Sequence, residues 1–184
     1  MKNTLPLIDE AREIRVKALE LLMKAHIAVT PDEAENMEVA DFGLGDIGNV
    51  GLQVVVCENN DRYCAKEIIL MPRQICPEHR HPPGREGPGK QETFRCRFGE
   101  VYLYVPGEPK PDPRAKVPEK YRNHLTVGHE VLLKPGDQYT LPPDTLHWFQ
   151  SGDKGAVLSE FSSRSTDEDD IWTDPRLQRL PKID

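Results

Sequence analysis

From Ile8 to Ala25 the apolar positions fall three and four apart. Ile8, Ala11, Ile14, Ala18, Leu22 and Ala25 share one stripe, which predicts a helix over residues 8–26. Glu10, Glu13, Lys17, Glu20 and Lys24 turn away from that stripe. Glu13–Lys17 and Glu20–Lys24 are each four apart in the favourable order. Thr30, Pro31 and Glu33 form a capping-box signature, so a second, shorter helix starts there. Beyond Gly43 the pattern changes to short apolar runs broken by turn residues. Residues 51–59 and 63–71 read as strands flanking an Asn60-Asp61-Arg62 hairpin. Further strands are predicted over 75–81, 90–98 and 101–107, with Gly99-Glu100 as a two-residue hairpin between the last two. Residues 108–123 are rich in proline and charge and read as a surface loop. Two more strands surround Pro135-Gly136 and Pro142-Pro143-Asp144. Residues 151–155 read as a turn and 156–163 as one further strand. Helices followed by many short antiparallel strands predict a mainly β fold, a compact barrel with helices packed outside. The length suits a single domain over 1–184, with helices in 1–40, barrel in 41–165 and a polar tail in 166–184 anchored by Ile171, Trp172 and Leu177.

Alternation decides where the chemistry falls. In 90–98, Lys90, Glu92, Phe94, Cys96 and Phe98 share one face, and Gln91, Thr93, Arg95 and Arg97 take the other. A lysine and a carboxylate on a face otherwise apolar mark it as functional. His79 and His81, two apart on a strand, leave the same side. Glu92 follows His81 after eleven residues, across a loop rich in proline and glycine, and His147 comes from GDQYTLPPDTLHWFQ. Together the four read as ligands of one divalent metal. Imidazole and carboxylate without thiolate suit a hard or borderline ion that keeps positions open for substrate. Lys90 has two readings: a cation that stabilises or protonates a developing alkoxide, or a lysine snorkelling at the barrel rim. Glu160 interrupts an apolar strand; it is either a catalytic base or half of an ion pair with an interior lysine or arginine. His124 and His129 lack motif support and read as surface residues, while His26 fits a helix C-terminus. Tyr102 and Tyr104 alternate opposite Leu103, toward the helices or a second subunit.

The formal net charge of −7, without a basic patch or helix, argues against nucleic acid or an anionic membrane as partner. No apolar run reaches membrane-spanning length, and MKNTLPLIDE has no apolar signal-peptide core, so a cytoplasmic protein is expected. Cys57, Cys64, Cys76 and Cys96 make no Cys-x-x-Cys pair and read as free, small hydrophobes.

His-x-His, then Glu92 and Gly99, then Gly136, Pro142 and His147, resembles the two halves of the cupin signature. Gln150 stands where cupins usually place asparagine. The insertion PPGREGPGKQ before Glu92, ending in Gly-Lys-Gln-Glu, resembles the D-lyxose isomerases, over roughly residues 65 to 175. That stretch includes Glu160 in LSEFSS and the acidic run Asp167 to Asp170. The resemblance implies a cupin-type double-stranded β-helix, a jelly-roll barrel, with an N-terminal helical extension. It also implies a Mn²⁺ centre (Co²⁺, Fe²⁺, Ni²⁺ or Zn²⁺ as alternatives), a homodimer, and Asp170 as a sugar or subunit contact. The implied reaction interconverts unphosphorylated D-lyxose and D-xylulose, and D-mannose and D-fructose, through a metal-stabilised cis-enediol. Chemistry is consistent with it: moving a proton between C1 and C2 needs a base at carbon and a Lewis acid at the oxygens. The rivals are an Fe²⁺ cupin dioxygenase, which uses the same ligands in an apolar pocket, and a non-catalytic sugar-binding cupin. Glu160 inside the barrel near the metal favours the isomerase over the binder. A phosphosugar isomerase would need a cationic cluster, for which only Arg80, Arg85 and Arg95 lie close in sequence.

Overall fold

Two long strands run through both halves of the barrel, and everything else pairs with them. The computed structural model describes residues 5–84 and 87–178. The helices are α1 (Leu5–Lys24), α2 (Pro31–Glu35) and the single turn α3 (Glu119–Arg122). The strands are β1 (Glu38–Ala40), β2 (Leu52–Asn59), β3 (Cys64–Leu70), β4 (Ile75–Arg80), β5 (Glu92–Val105), β6 (His129–Leu133), β7 (Gln138–Leu141), β8 (His147–Ser162) and β9 (Ile171–Trp172). The second half of β8 lies between β3 and the first half of β5, with β2, β1 and β7 completing that side. The first half of β8 lies between β4 and the second half of β5, with β9 and β6 outermost. The inner faces of the two halves meet in one core that includes Leu52, Val54, Ile68, Phe94, Leu103, Phe149 and Leu158. This is the mainly β, double-stranded β-helix expected from the sequence.

The helical prediction holds with shifted ends. Ala11, Ile14, Ala18, Leu22 and Ala25 are buried, joined by Leu21; the side chain of Ile8 lies outside the described residues. They pack on Met37, Val39, Val55, Ile69 and Val157, a second core on the outside of the sheet. Thr30 caps α2 reciprocally with Glu33, whose carboxylate accepts from the Thr30 amide at 2.7 Å. That cap matters because α2 buries no side chain of its own. No helix among the described residues is long and apolar enough to cross a membrane.

Two turns read from the sequence are bends inside continuous strands. Gly99-Glu100 is no hairpin: β5 runs on to Val105, with register shifts against β8 between Cys96 and Phe98 and between Gly99 and Val101. Likewise 151–155 is no turn, because β8 is unbroken over sixteen residues. Glycine at a bulge and glycine in a hairpin leave the same mark in a sequence. At the bulge, Gly99 takes φ +73° and Gly155 takes φ +72°. The slip also moves Phe98 out of the barrel interior to pack on the helix-side core, correcting the alternation read for 90–98. Pro135-Gly136 does not join a hairpin either; β6 and β7 follow each other along β5. Tyr102 and Tyr104 lie on the face opposite Leu103, as the alternation predicts, and Tyr104 is covered by the segment around Ala115 rather than by the helices, with its ring stacked on Trp148 at 4.0 Å. Ile171 is exposed, whereas Leu177 is buried as expected.

Gly99 yields a test of the bend. A Cβ there would sit 2.0 Å from the Gly155 carbonyl oxygen, in a backbone region disfavoured for L-residues. Gly99→Ala should cost about 1–3 kcal/mol of stability, read as a lower midpoint in urea unfolding. An unchanged midpoint would contradict the packing assigned to this bend.

Candidate active site

β4 and β8 pair in register so that His79 lies opposite His147. His81 follows one residue past the end of β4, and the three rings close around a point. Ring centroids are 4.3 Å apart for His79–His147, 4.9 Å for His79–His81 and 5.5 Å for His81–His147. One ring nitrogen from each lies within 4.8 Å of the others. Each ring is fixed through its far nitrogen: Nδ1 of His79 faces the Pro77 carbonyl at 2.8 Å, Nδ1 of His147 the Thr145 carbonyl at 2.9 Å, and Nδ1 of His81 the Asp170 carboxylate. That arrangement aims all three Nε2 atoms inward, as the outer hydrogen bonds of metal-binding histidines do. Trp172 stacks on the His79 ring at 4.7 Å and closes its open face.

Glu92, the first residue of β5, completes the cluster. Its Oε1 is 3.1 Å from Nε2 of both His81 and His147, and its Oε2 is 3.0 Å from Lys90 Nζ. Lys90 reaches Glu160 at 3.0 Å and Asp167 at 3.5 Å. Gly89 makes this approach possible, since a Cβ there would lie 2.4 Å from the His81 carbonyl oxygen. On β3, directly opposite Glu160, the buried Lys66 donates to Asp167 and, at 2.8 Å, to Ser165. The six residues singled out from the sequence, His79, His81, Lys90, Glu92, His147 and Glu160, are all buried and contiguous. Both sequence readings of Glu160 keep support, because it faces the cavity and is ion-paired with Lys90.

Burial would discharge Lys90, but Glu160, Glu92, Asp167 and Asp170 outweigh it and hold its pKa well above the ordinary value. Burial alone would raise Glu92; Lys90 and His81 instead hold it well below the usual carboxylate range. His79, buried beside two other imidazoles, is pushed well down. Burial opposes protonation of His81 too, yet Glu92 and Asp170 raise it to about 9.

Two observations fit a divalent cation here. First, four carboxylates (Glu92, Glu160, Asp167, Asp170) face two ammonium groups (Lys66, Lys90) and the protonated His81, leaving a formal surplus of one negative charge in a buried space. Second, Nε2 of His147 has no hydrogen-bond partner although Glu92 Oε1 lies only 3.1 Å away. A buried nitrogen so placed needs a proton or a cation between itself and the carboxylate. The His₃–Glu donor set suits a borderline ion.

Sequence reasoning missed Lys66, Asp167 and Glu78, and treated Trp172 only as an anchor. Glu78 is buried and accepts from the Thr126 and Val127 amides and the Thr173 hydroxyl, tying two loops to β4. Asp170 was flagged as a sugar or subunit contact; it holds His81. His124 and His129 stay outside the cluster, one 3.8 Å from Asp174 and the other beside the Glu108 carbonyl. Arg80 pairs with Asp144 and Arg95 lies on the outer face, while Arg85 is outside the described residues. Gln150 is buried and bonds the Lys116 backbone, away from the histidines. A separate cleft of about 790 Å³ between the 109–128 segment and Trp148 contains no such cluster; the histidines and carboxylates line the smaller cavity.

Comparison with known proteins shows the family. The sequence model of the D-lyxose isomerase family matches residues 23–184. A D-lyxose ketol-isomerase from Thermofilum sp. is 61% identical over 180 residues, covering 98% of each chain. A D-lyxose/D-mannose isomerase from Thermosediminibacter oceani is 59% identical over 176 residues, covering 96% of this chain and 97% of the relative. Among solved structures, the L-ribose isomerase of Cellulomonas parahominis superposes with a TM-score of 0.78 over 95% of each chain at 17% identity, a likeness of fold.

The raised pKa of His81 sets a proton count. Below pH 9 its Nε2 carries a proton that a divalent ion must displace. Calorimetric titration of stripped protein with Mn²⁺ at pH 7.5, in buffers of different ionisation enthalpy, should therefore show about one proton released per ion. Apparent affinity should rise with pH up to about 9 and level off above it. Binding without proton release would exclude Nε2 of His81 as a ligand.

Proposed function

The chain belongs to the D-lyxose isomerase family, and we propose that it interconverts a free aldose and its 2-ketose at the His79–His81–Glu92–His147 cluster. D-Lyxose and D-xylulose are the first candidate pair, D-mannose and D-fructose the second. These four side chains would hold one divalent ion, Mn²⁺ first, with Co²⁺, Fe²⁺, Ni²⁺ or Zn²⁺ as alternatives. Bound there, the ion supplies a Lewis acid that polarises the sugar carbonyl and acidifies the neighbouring C–H.

The observation that carries this reading is the single ammonium between two carboxylates. Lys90 stands 3.0 Å from Glu92 and 3.0 Å from Glu160, so one carboxylate faces the histidines while the other faces the cavity. Glu160 is the base: it takes the proton from C2 of the aldose and returns it to C1, while the hydroxyl proton on O2 passes to O1, leaving a ketose with no net loss or gain. Lys90, held as a cation, cannot be that base; it donates to the sugar oxygen that gains negative charge. Phe94, Phe149 and Ile68 also line the cavity and keep water off the intermediate.

Particular features weigh against the rivals. A wall carrying four carboxylates and two ammonium groups matches polyol hydroxyls, not the apolar substrate of a dioxygenase. Both cavity lysines are already neutralised, which leaves no cation for a phosphate. Glu160 in the cavity supplies the proton-transfer group that a mere sugar binder lacks. A homodimer in the cytoplasm belongs to the same proposal, and four free cysteines suit a reducing compartment.

Mn²⁺-loaded protein should form ketose from D-lyxose, and EDTA should abolish this. Glu160→Gln should keep fold and metal content while turnover drops by about 10²-fold or more, the lower range for losing a general base. Near-full turnover in that variant would place the base elsewhere. Consumption of O₂ with Fe²⁺, and no sugar turned over, would favour the oxygenase.

A further inference from the structure

The cavity beside the histidines is too small for the sugar the site is built to use. It encloses about 40 Å³, space for about three or four water molecules at roughly 10–15 Å³ each. D-Lyxose, with five carbons and five oxygens, is far larger. One wall must therefore move. Most of the lining stands on β2, β3, β4, β5 and β8, strands bonded on both sides into the barrel. Of the remaining lining, Phe42, His81 and Lys90 lie within two residues of a strand end, and Asp167, Asp170 and Trp172 belong to the strap after β8.

The strap is built to move between fixed ends. At one end Ser165 and Asn59 exchange two hydrogen bonds, of 3.0 and 3.1 Å. At the other, Thr173 bonds the Glu78 carbonyl at 3.1 Å and its carboxylate at 2.7 Å. Between them lie a one-turn 3-10 helix, Asp167–Asp169, and the two-residue strand β9. Asp167 ties this middle part to the barrel by accepting from Lys66, a bond spanning 101 positions in sequence.

We propose, on the premise of the sugar-isomerase reading, that residues 166–169, the part of the strap before Asp170 and β9 fasten to His81 and β4, form a lid over the sugar site and that Lys66 is the positioning residue that latches it through Asp167. Lys66 suits this role. It is 6% exposed and bonded to the strap at both Asp167 and Ser165, and it lies beyond Lys90 as seen from the histidines. It touches none of the four ligand side chains. When the lid opens, both partners of the Lys66–Asp167 pair can regain water, so the latch is reversible; a purely apolar closure would offer no such compensation.

Hydrogen–deuterium exchange on the Mn²⁺-loaded, full-length protein tests this directly, with D-arabitol as a pentitol that cannot be isomerised. Amides of 166–169 should exchange at least about tenfold faster than those of β8, and D-arabitol should slow them. Lys66→Met, and independently the near-isosteric Asp167→Asn, should speed their exchange by a further tenfold or more at unchanged metal content. KM for D-lyxose should rise by more than kcat falls. Strap amides as slow as those of β8, in wild type and in both variants, would make the strap a fixed wall and overturn the lid. If D-lyxose is turned over and the strap proves fixed, only the lid fails. If the variants loosen the strap but no sugar is turned over, the lid stands and the isomerase reading fails.

Discussion

An ammonium group shut away from water has to be neutralised by the protein itself, and Lys90 is the group around which this site is arranged. Its Nζ lies 3.0 Å from carboxylates on β5 and on β8, and 3.5 Å from one on the strap. Removing the lysine would strand carboxylates in a buried space, a cost of several kcal/mol for unpaired buried charge. The pair partners thus fix each other: Lys90 stays charged because of the carboxylates, and Glu92 is held ionised largely by Lys90. The same constraint separates two roles. Glu92 is turned toward the histidines and Glu160 toward the cavity, so two like side chains present different chemistry a few ångströms apart.

The barrel is what makes that geometry affordable. β5 and β8 each pass through both halves of the sheet, bending where Gly99 meets Gly155. The bend lets one strand deliver Glu92 to the site at one end and Leu103 to the core at the other. Opposite Lys90, the pairing of β4 with β8 sets His79 beside His147, and carbonyls or a carboxylate orient every ring from behind. Precision at His79 and His147 therefore comes from backbone carbonyls of the fold, and at His81 from the Asp170 carboxylate.

How much of this was legible in the sequence depended on sequence distance. His79, His81 and Glu92 could be read because a strand's period of two places them, and His147 because its spacing from Gly136 and Pro142 has a recognisable form. Lys90 came with Glu92 by the same alternation. Lys66 and Asp167 could not be found that way: each is an ordinary charge in its own segment, and their meaning lies in a contact 101 residues long. Asp170 was noticed through family likeness as a sugar or subunit contact, and only the folded strap shows it also behind His81. Gly99 was seen and misread, because positive φ is the requirement of a hairpin and of a bulge alike. Phe98 then followed it to the wrong core.

The central claim is that this cluster moves a proton, with Glu160 as its carrier, rather than a hydride. Conversion of D-lyxose by the Mn²⁺-loaded enzyme in D₂O, followed by NMR of the isolated ketose, tests it most directly. A carboxylate carrier that exchanges with solvent predicts deuterium at C1 of the product, accumulating as the reaction approaches equilibrium. Complete retention of protium at C1 over many turnovers would mean direct hydride transfer and would contradict the account.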